Sequence, residues 1–501
     1  TFFSNWQIFF KNFYINMFYS TIFVEYNKGI NFYERCCMKK ERSEMILHGD
    51  IYKIIAIISI PIILNNFIQQ LYSLADAFWL GKLGTAEFAS TSFTWPVIFL
   101  FNSIGIGLSI AAISLISQLL GRKDFLHAQK YADTLINISL LFSIVFMLLG
   151  YFSADLIVKM MGATGNLAKY SVIYLKYSYL GIPFIFLYYI YSSILSAQGK
   201  NTIPTMISTI CVILNMILNP IFIFDVIPFT SISGLGLGVK GAALATVLTQ
   251  GIMCIVGFIH LRINKDIIKL NLHSLIYIKW EKHILKRIYR ITLPSVIGQV
   301  GTAIGFMIMN SFIQSYGTET VAAYGMVNRI SGLLNIPPGG IGSAITSIIG
   351  QNIGNNNIKR VKETFKKASI IIIIMSILIA FISFTFRYEI LSFFINAPKE
   401  SELMIQANSY MFYTLITLVM LNMFFVYQGL FQGSGNSKYS MAIDMIRLWV
   451  IRIPLILFFK YFTKQGATGI WLAMAISNIL VTIIAHLIYL KGKWQQGSFC
   501  R

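Results

Sequence analysis

The sequence predicts an all-α polytopic membrane protein, with twelve transmembrane helices in two homologous six-helix bundles. The first observation behind this is composition. Hydrophobic residues make up 56% of the chain and charged residues 12%, where a soluble domain has about a quarter charged. Apolar runs of roughly 20 residues or longer recur throughout, the length a helix needs to cross a bilayer. The second is a repeat. PIILNNFIQQLYSLADAFWLGKLG from Pro61 to Gly84 returns as PSVIGQVGTAIGFMIMNSFIQSYG from Pro294 to Gly317, 233 residues on. The same shift pairs Gln118 with Gln351 and Gly121 with Gly354, and later landmarks drift by a few residues: Asn201 with Asn436, and the GxxGxxLA runs at Gly238 and Gly466. A long repeat of this kind means two structurally similar halves. The third is the placement of charge. The net charge of +21 sits between hydrophobic segments, so the positive-inside rule accounts for it and no nucleic-acid partner is implied.

In chain order, residues 1–37 are rich in Phe, Tyr and Asn and lack both a helical period and the layout of a secretory signal. They read as upstream AT-rich sequence, with Met38 as the natural start; an interfacial aromatic segment is the alternative. The whole leader, 1–45, is expected to be disordered or not native. The first lobe is 46–262, with spans at about 52–80, 89–119, 132–154, 168–196, 203–225 and 238–262. A polar connector, 263–286, follows as a cytoplasmic linker or, second, an interfacial amphipathic helix. It carries His273 and His283 without Cys or paired carboxylates. The second lobe, 287–490, has spans at about 287–315, 321–349, 366–387, 405–431, 438–462 and 466–490, and 491–501 is a tail.

Lys and Arg concentrate in one set of alternate loops (Lys53, Arg122, Lys123, Lys200, the connector, Lys359 to Lys367, Lys438, Lys491 and Lys493). That bias puts both termini in the cytoplasm. Six spans per half then give both repeats the same orientation, related by an axis along the membrane normal. The five cysteines (36, 37, 211, 254 and 500) form no disulfide or CxxC framework.

The candidate site begins on span 1. Asn65, Gln69, Tyr72 and Asp76 are spaced 4, 3 and 4 and share one helix face. Asp76 is the only acid well inside the first half's apolar segments, and its counterpart in the repeat is Met309. Intramembrane carboxylates are expensive and mark ion or substrate paths. Without a cation, desolvation favours the protonated form, which suits a reversible proton carrier; a carboxylate satisfied by neighbouring hydroxyls or amides is the structural alternative.

Span 5 offers Ser208, Cys211, Asn215 and Asn219 on one face, followed by Pro220, which should kink the helix. The amides either orient a carboxylate or cation or act as packing glue. Thr246 and Gln250 extend the face on span 6. In the second half Gln299, Asn310 and Asn328 are candidate cavity residues, Arg329 is the one charge on spans 7 and 8, and PPGG at 337–340 should break span 8. Asp444 and Arg447, three apart on span 11, read as a local ion pair. No Walker, SxxK, GxSxG or HExxH pattern occurs. The reading is therefore not an enzyme, with no cofactor and no metal site, and transport energy has to come from an ion gradient.

Pro61, Asp76, Gly81 and Gly84, the paired Q-x2-G loops, QGKN, GSGN and GVKGAALAT together resemble the signature of multidrug and toxic compound extrusion (MATE) transporters, most like bacterial MepA-like and DinF-like members. The similarity covers about 45–490. It implies two six-helix lobes around a central cleft, in a multi-pass monomer of the bacterial cytoplasmic membrane that exports bulky, hydrophobic, often cationic drugs or toxins by cation-coupled antiport. By position, Asp76, Tyr72, Asn215, Asn219 and Thr246 match the family's first-lobe proton or cation site, with Asn65, Gln69, Gln250, Gln299, Asn310 and Asn328 lining the substrate cavity. Where the family commonly has Asp before the span 5 proline, this chain has Asn219. That leaves one membrane carboxylate in the lobe and favours H⁺ over Na⁺. A lipid-linked oligosaccharide flippase of the same superfamily is the alternative; it should show several cationic residues facing a central cavity.

Overall fold

The computed structural model describes residues 43–228, 232–263, 267–269, 281–394, 398–497 and 499. The leader through residue 42, most of the connector including His273, and Cys36, Cys37 and Cys500 lie outside the described residues. Among the described residues every named element is helical. Span 1 is Ile51–Leu83, span 2 Thr85–Gly121, span 3 Phe125–Met160, span 5 Thr202–Ile223 and span 6 Gly238–Ile263, with span 4 divided into Gly165–Tyr179 and Ile182–Ala197. In the second lobe span 7 is Lys282–Gln314, span 9 Ile358–Thr385 and span 12 Thr468–Leu490. Span 8 divides into Thr318–Leu334 and Ile336–Gly354, span 10 into Glu402–Ile416 and Leu418–Gly433, and span 11 into Ser437–Met445, a π turn Ile446–Arg452, and Ile453–Phe462.

Eight of these helices are long and apolar enough to cross a membrane alone, and ten spans result when each sharply bent pair counts as one. The interrupted spans 8 and 11 complete the twelve. The bends in spans 4 and 10, 47° and 52°, were not legible as breaks in the sequence. Span 4 restarts with Pro183 in its first turn, where the missing N–H is tolerated. Span 10 breaks at Thr417, whose hydroxyl bonds back to the Tyr413 carbonyl at 2.9 Å, a competition that bends helices. In span 8 the break falls at Asn335, just before the two prolines. Span 5 runs on past Pro220 and ends three residues later, at Ile223.

The backbone repeats as closely as the sequence does. Lys123 (φ 60°) and Asn356 (φ 58°), 233 apart, are the two left-handed non-glycine residues among those described. Each is followed by a cap, Asp124 or Asn357, that accepts the N–H of His127 or Arg360 at 3.2 and 3.0 Å. Between lipid-facing helices apolar burial supplies little drive to associate, so small residues and close backbones carry the packing. The two Q-x2-G loops meet reciprocally: a methyl on Gly121 would lie 1.9 Å from the Gln351 carbonyl oxygen, and one on Gly354 2.0 Å from that of Gln118. Further inter-lobe bonds join Gln351 to the Ala197 carbonyl (2.7 Å), Ser347 to that of Ser196 (2.7 Å) and Gln118 to that of Gly433 (3.0 Å).

All of these lie toward the end that carries the connector. At the other end Thr318–Leu334 packs chiefly within its own lobe, and side chains added at Gly317, Gly325 or Gly332 would meet nothing within 4 Å. The lobes are closed against each other at the connector end and diverge toward the opposite one. The described part of the connector is docked: Ile268 is buried, and Gln129 of span 3 both donates to and accepts from the backbone of Lys269, at 2.7 and 2.8 Å.

Candidate functional site

Spans 1, 5 and 6 bring their polar faces together inside the first lobe. Asn219 is fully buried, and its amide nitrogen donates to Asp76 Oδ1 at 3.0 Å and to Asn215 Oδ1 at 2.9 Å. Asn215 in turn donates to the hydroxyls of Thr249 at 3.1 Å and Thr246 at 3.4 Å. Thr246 shares a 3.0 Å bond with the Tyr72 hydroxyl, which closes the path back to span 1. Tyr72, Asp76, Asn215, Asn219 and Thr246 therefore form one continuous chain. Thr249 belongs to it too; its signal was its place one turn after Thr246, on the same face.

Both amide hydrogens of Asn219 are used, so its orientation is fixed. Its carbonyl oxygen is left buried with no partner, an unusual cost for a buried acceptor. The cluster thus offers a carboxylate, amide oxygens and hydroxyls at close quarters, and every group except the carboxylate is neutral. Such a set can hold a proton on the carboxylate or a small cation through oxygen alone. Asn65 and Gln69 continue the stripe. Gln69 donates to Ser208 at 3.0 Å, and Asn65 Oδ1 is a second buried acceptor without a partner.

The remaining cavity candidates are placed apart from this chain. Gln250 packs against span 4, its Oε1 2.2 Å from where a methyl on Gly181 would sit. Gln299 is half-buried and Asn310 exposed, both on span 7. Asn328 accepts the Tyr410 hydroxyl at 2.8 Å, in a stack of Tyr324, Tyr410 and Trp471 within the second lobe.

Sequence reasoning underweighted the second lobe. The Asp444–Arg447 ion pair does not form among the described residues. Asp444 accepts from Gln428 at 2.8 Å, while Arg447 lies 4.4 Å over the Phe424 ring. The π turn that begins at Ile446 changes the angular step per residue, so the two side chains diverge. Arg452 is buried and donates to Ser477 at 2.8 Å and Asn478 at 2.7 Å. Through the GxxGxxLA register, Ser477 and Asn478 correspond to Thr249 and Gln250. Positions that in one lobe supply Thr249 to the Asn215 amide hold a guanidinium in the other. Arg447 and Arg452 are both buried inside the lobe, which disfavours the flippase expectation of cations lining a central cavity.

A family model described as MatE matches residues 61–221 and 294–458, one block per lobe, each opening on the repeated proline. The chain is 26% identical over 448 residues to "Probable multidrug resistance protein YpnP" of Bacillus subtilis (strain 168), covering 89% of this chain and 96% of that one. It is 24% identical over 452 residues to "Multidrug export protein MepA" of Staphylococcus aureus (strain MRSA252), covering 90% and 96%. Among solved structures, "Crystal structure of MATE in complex with MaL6" superposes with a TM-score of 0.82 at 24% identity, covering 89% of this chain and 97% of that one. "Outward-facing conformation of a multidrug resistance MATE family transporter of the MOP superfamily" superposes with 0.81 at 25% identity, again over 89% and 97%.

Proposed function

The chain belongs to the MatE family, and from that premise we propose that it is a cation-coupled antiporter, driven by H⁺ first and Na⁺ second, that exports bulky hydrophobic and often cationic compounds. The membrane is read as a bacterial cytoplasmic membrane, with the connector and both termini on the inner side. The observation that carries this reading is the hydrogen-bonded chain around Asp76, present in the first lobe and absent from the same place in the second, where Met309 is buried.

Coupling follows from the cost of a bare carboxylate in low dielectric. While the cleft is wet, the Asn219 amide and water support the ionised Asp76, and an exported cation adds its own attraction. As water leaves, either a proton or a cation has to neutralise the carboxylate. Protonation then releases the exported cation to the outside. An apolar cavity with one negative group favours ligands that are both greasy and cationic, by burial and by charge. The buried Asn219 oxygen lies beside Asp76 and supports Na⁺ as the second choice, since a hard cation takes oxygen ligands.

Efflux of a cationic dye from a pump-deficient bacterial strain tests this reading. Wild-type protein should extrude the dye, an uncoupler should stop it, and Asp76→Asn should abolish it at unchanged membrane abundance. Full efflux by Asp76→Asn under a pH gradient would remove Asp76 from the mechanism.

A further inference from the structure

The two lobes share a fold, so each place in one has a built-in control in the other. At the connector end of the second lobe the start of span 7, the turn into span 11 and the C-terminal tail enclose a cavity of about 50 Å³. That is several times the space one water needs. Arg287, Arg290, Lys438, Ser437 and Asn436 line it, with Gly497 of the tail on one side and no carboxylate among the lining residues.

We propose that this cavity is a binding site for a phosphate group, carried either on a membrane lipid or on a soluble phosphate. Ser437 is only 1% exposed, and its hydroxyl has no hydrogen-bond partner although the residue lines the cavity. A buried hydroxyl without a partner costs stability unless a ligand completes it. Ser437 also opens the helical tract of span 11; the Tyr439 N–H there is taken by the Asn436 carbonyl at 2.8 Å, and the start of a helix favours an anion. Arg290 and Lys438 are exposed, and neither forms an ion pair with a described residue. The Arg287 guanidinium lies 4.6 Å over the Phe499 ring. Asn436 ties the tail down through the carbonyls of Trp494 at 3.1 Å and Gln496 at 3.2 Å.

In the first lobe the same place keeps an amide and a hydroxyl, Asn201 and Thr202, but loses all three cations. A shift of 233 turns Arg287 and Arg290 into Ile54 and Ile57, and the Asn201–Asn436 register turns Lys438 into Ile203. There Asn201 donates to the Ile58 carbonyl at 3.3 Å, and Ile46 reaches over Gly199. Packing alone is thus served by isoleucine at these positions. Three cations around an unpartnered hydroxyl are what a phosphate oxyanion requires. The site is separate from the Asp76 cluster and does not depend on the transport reading.

The test is thermal unfolding of the purified full-length protein. One arm titrates inorganic phosphate against chloride at matched ionic strength, in detergent. The other compares nanodiscs of phosphatidylcholine with and without phosphatidylglycerol. Wild type should be stabilised in at least one arm. Arg290→Gln with Lys438→Gln should weaken the half-saturation by roughly thirtyfold, at ~1 kcal/mol per basic contact. Ser437→Ala, which leaves the charge unchanged, should weaken it several-fold. Lys359→Gln with Lys362→Gln, an equal charge loss at the same end of the molecule, should leave it unchanged. A response to the lipid alone identifies a headgroup, and a response to inorganic phosphate identifies a soluble source. No response of wild type in either arm, or an equal loss in the Lys359/Lys362 variant, overturns the proposal.

Discussion

Asn219 is the residue on which the first-lobe cluster turns, since a single amide supports both Asp76 and Asn215. Asn219→Ala should remove both donors at once and destabilise the protein by about 1–3 kcal/mol, the range for stranding buried acceptors. Thermal unfolding in detergent reads this directly. Asn219→Asp should keep the fold but place two carboxylates on one site, shifting the pH dependence of efflux or admitting Na⁺; transport rates measured against pH and against sodium separate the two results. In the second lobe Asn478→Leu should leave the Arg452 guanidinium short of an acceptor, with a loss of about 1.5–3 kcal/mol for a bond to a charged group. A stability change below about 0.5 kcal/mol there would show that water already serves Arg452.

Among the elements, the paired Q-x2-G loops set how closely the lobes approach. Gly121→Val places a branched side chain against the backbone oxygen of Gln351, and backbone has no rotamer by which to yield. The connector end should be forced apart, so that a cysteine placed at Ser117, buried in the present arrangement, becomes reactive to a soluble maleimide. Protection as complete as in the glycine parent would contradict this. The connector has its own electrostatic clasp, Lys130 to Glu281 at 2.7 Å. The Lys130 hydrogen bond holds the Glu281 carboxyl below its ordinary range. A depressed acid stabilises above its unfolded value and loses that contribution as pH falls through the folded one. Hydrogen exchange at the start of span 7 should therefore be flat from pH 7 to 5, once the intrinsic rate is corrected, and rise only in acid below about pH 4.

For the whole molecule, lobes that touch at the connector end and diverge at the other form a cleft open to the side opposite the connector. Spin labels at exposed positions beside Phe78 and Gly317 should therefore be far apart at rest and move closer when substrate or protons drive the alternate state. An unchanged distance distribution across pH and substrate would argue against rocking of the lobes. The charge asymmetry belongs to the same scale. One fold, used twice, carries a half-buried acid among neutral partners in one half, Asp76, and a buried acid together with two buried arginines in the other, Asp444 with Arg447 and Arg452.

The class, the spans and the doubling were legible along the chain, because hydropathy and a 233-residue offset are properties of single positions and of their order. The sequence also marked Tyr72, Asp76, Asn215, Asn219 and Thr246 as polar residues on buried helix faces. Helical spacing decides which side chains share a face, but not which face meets which. The tertiary structure alone decided that Thr249 closes the first-lobe network, that Asp444 turns to Gln428 and away from Arg447, and that Arg452 occupies the seam corresponding to Thr249 and Gln250. It also bent spans 4 and 10 and brought Arg287, Arg290 and Lys438 around one buried hydroxyl. These outcomes depend on distances between segments far apart in sequence and on a π turn that shifts angular register, neither of which the pattern of one helix can encode.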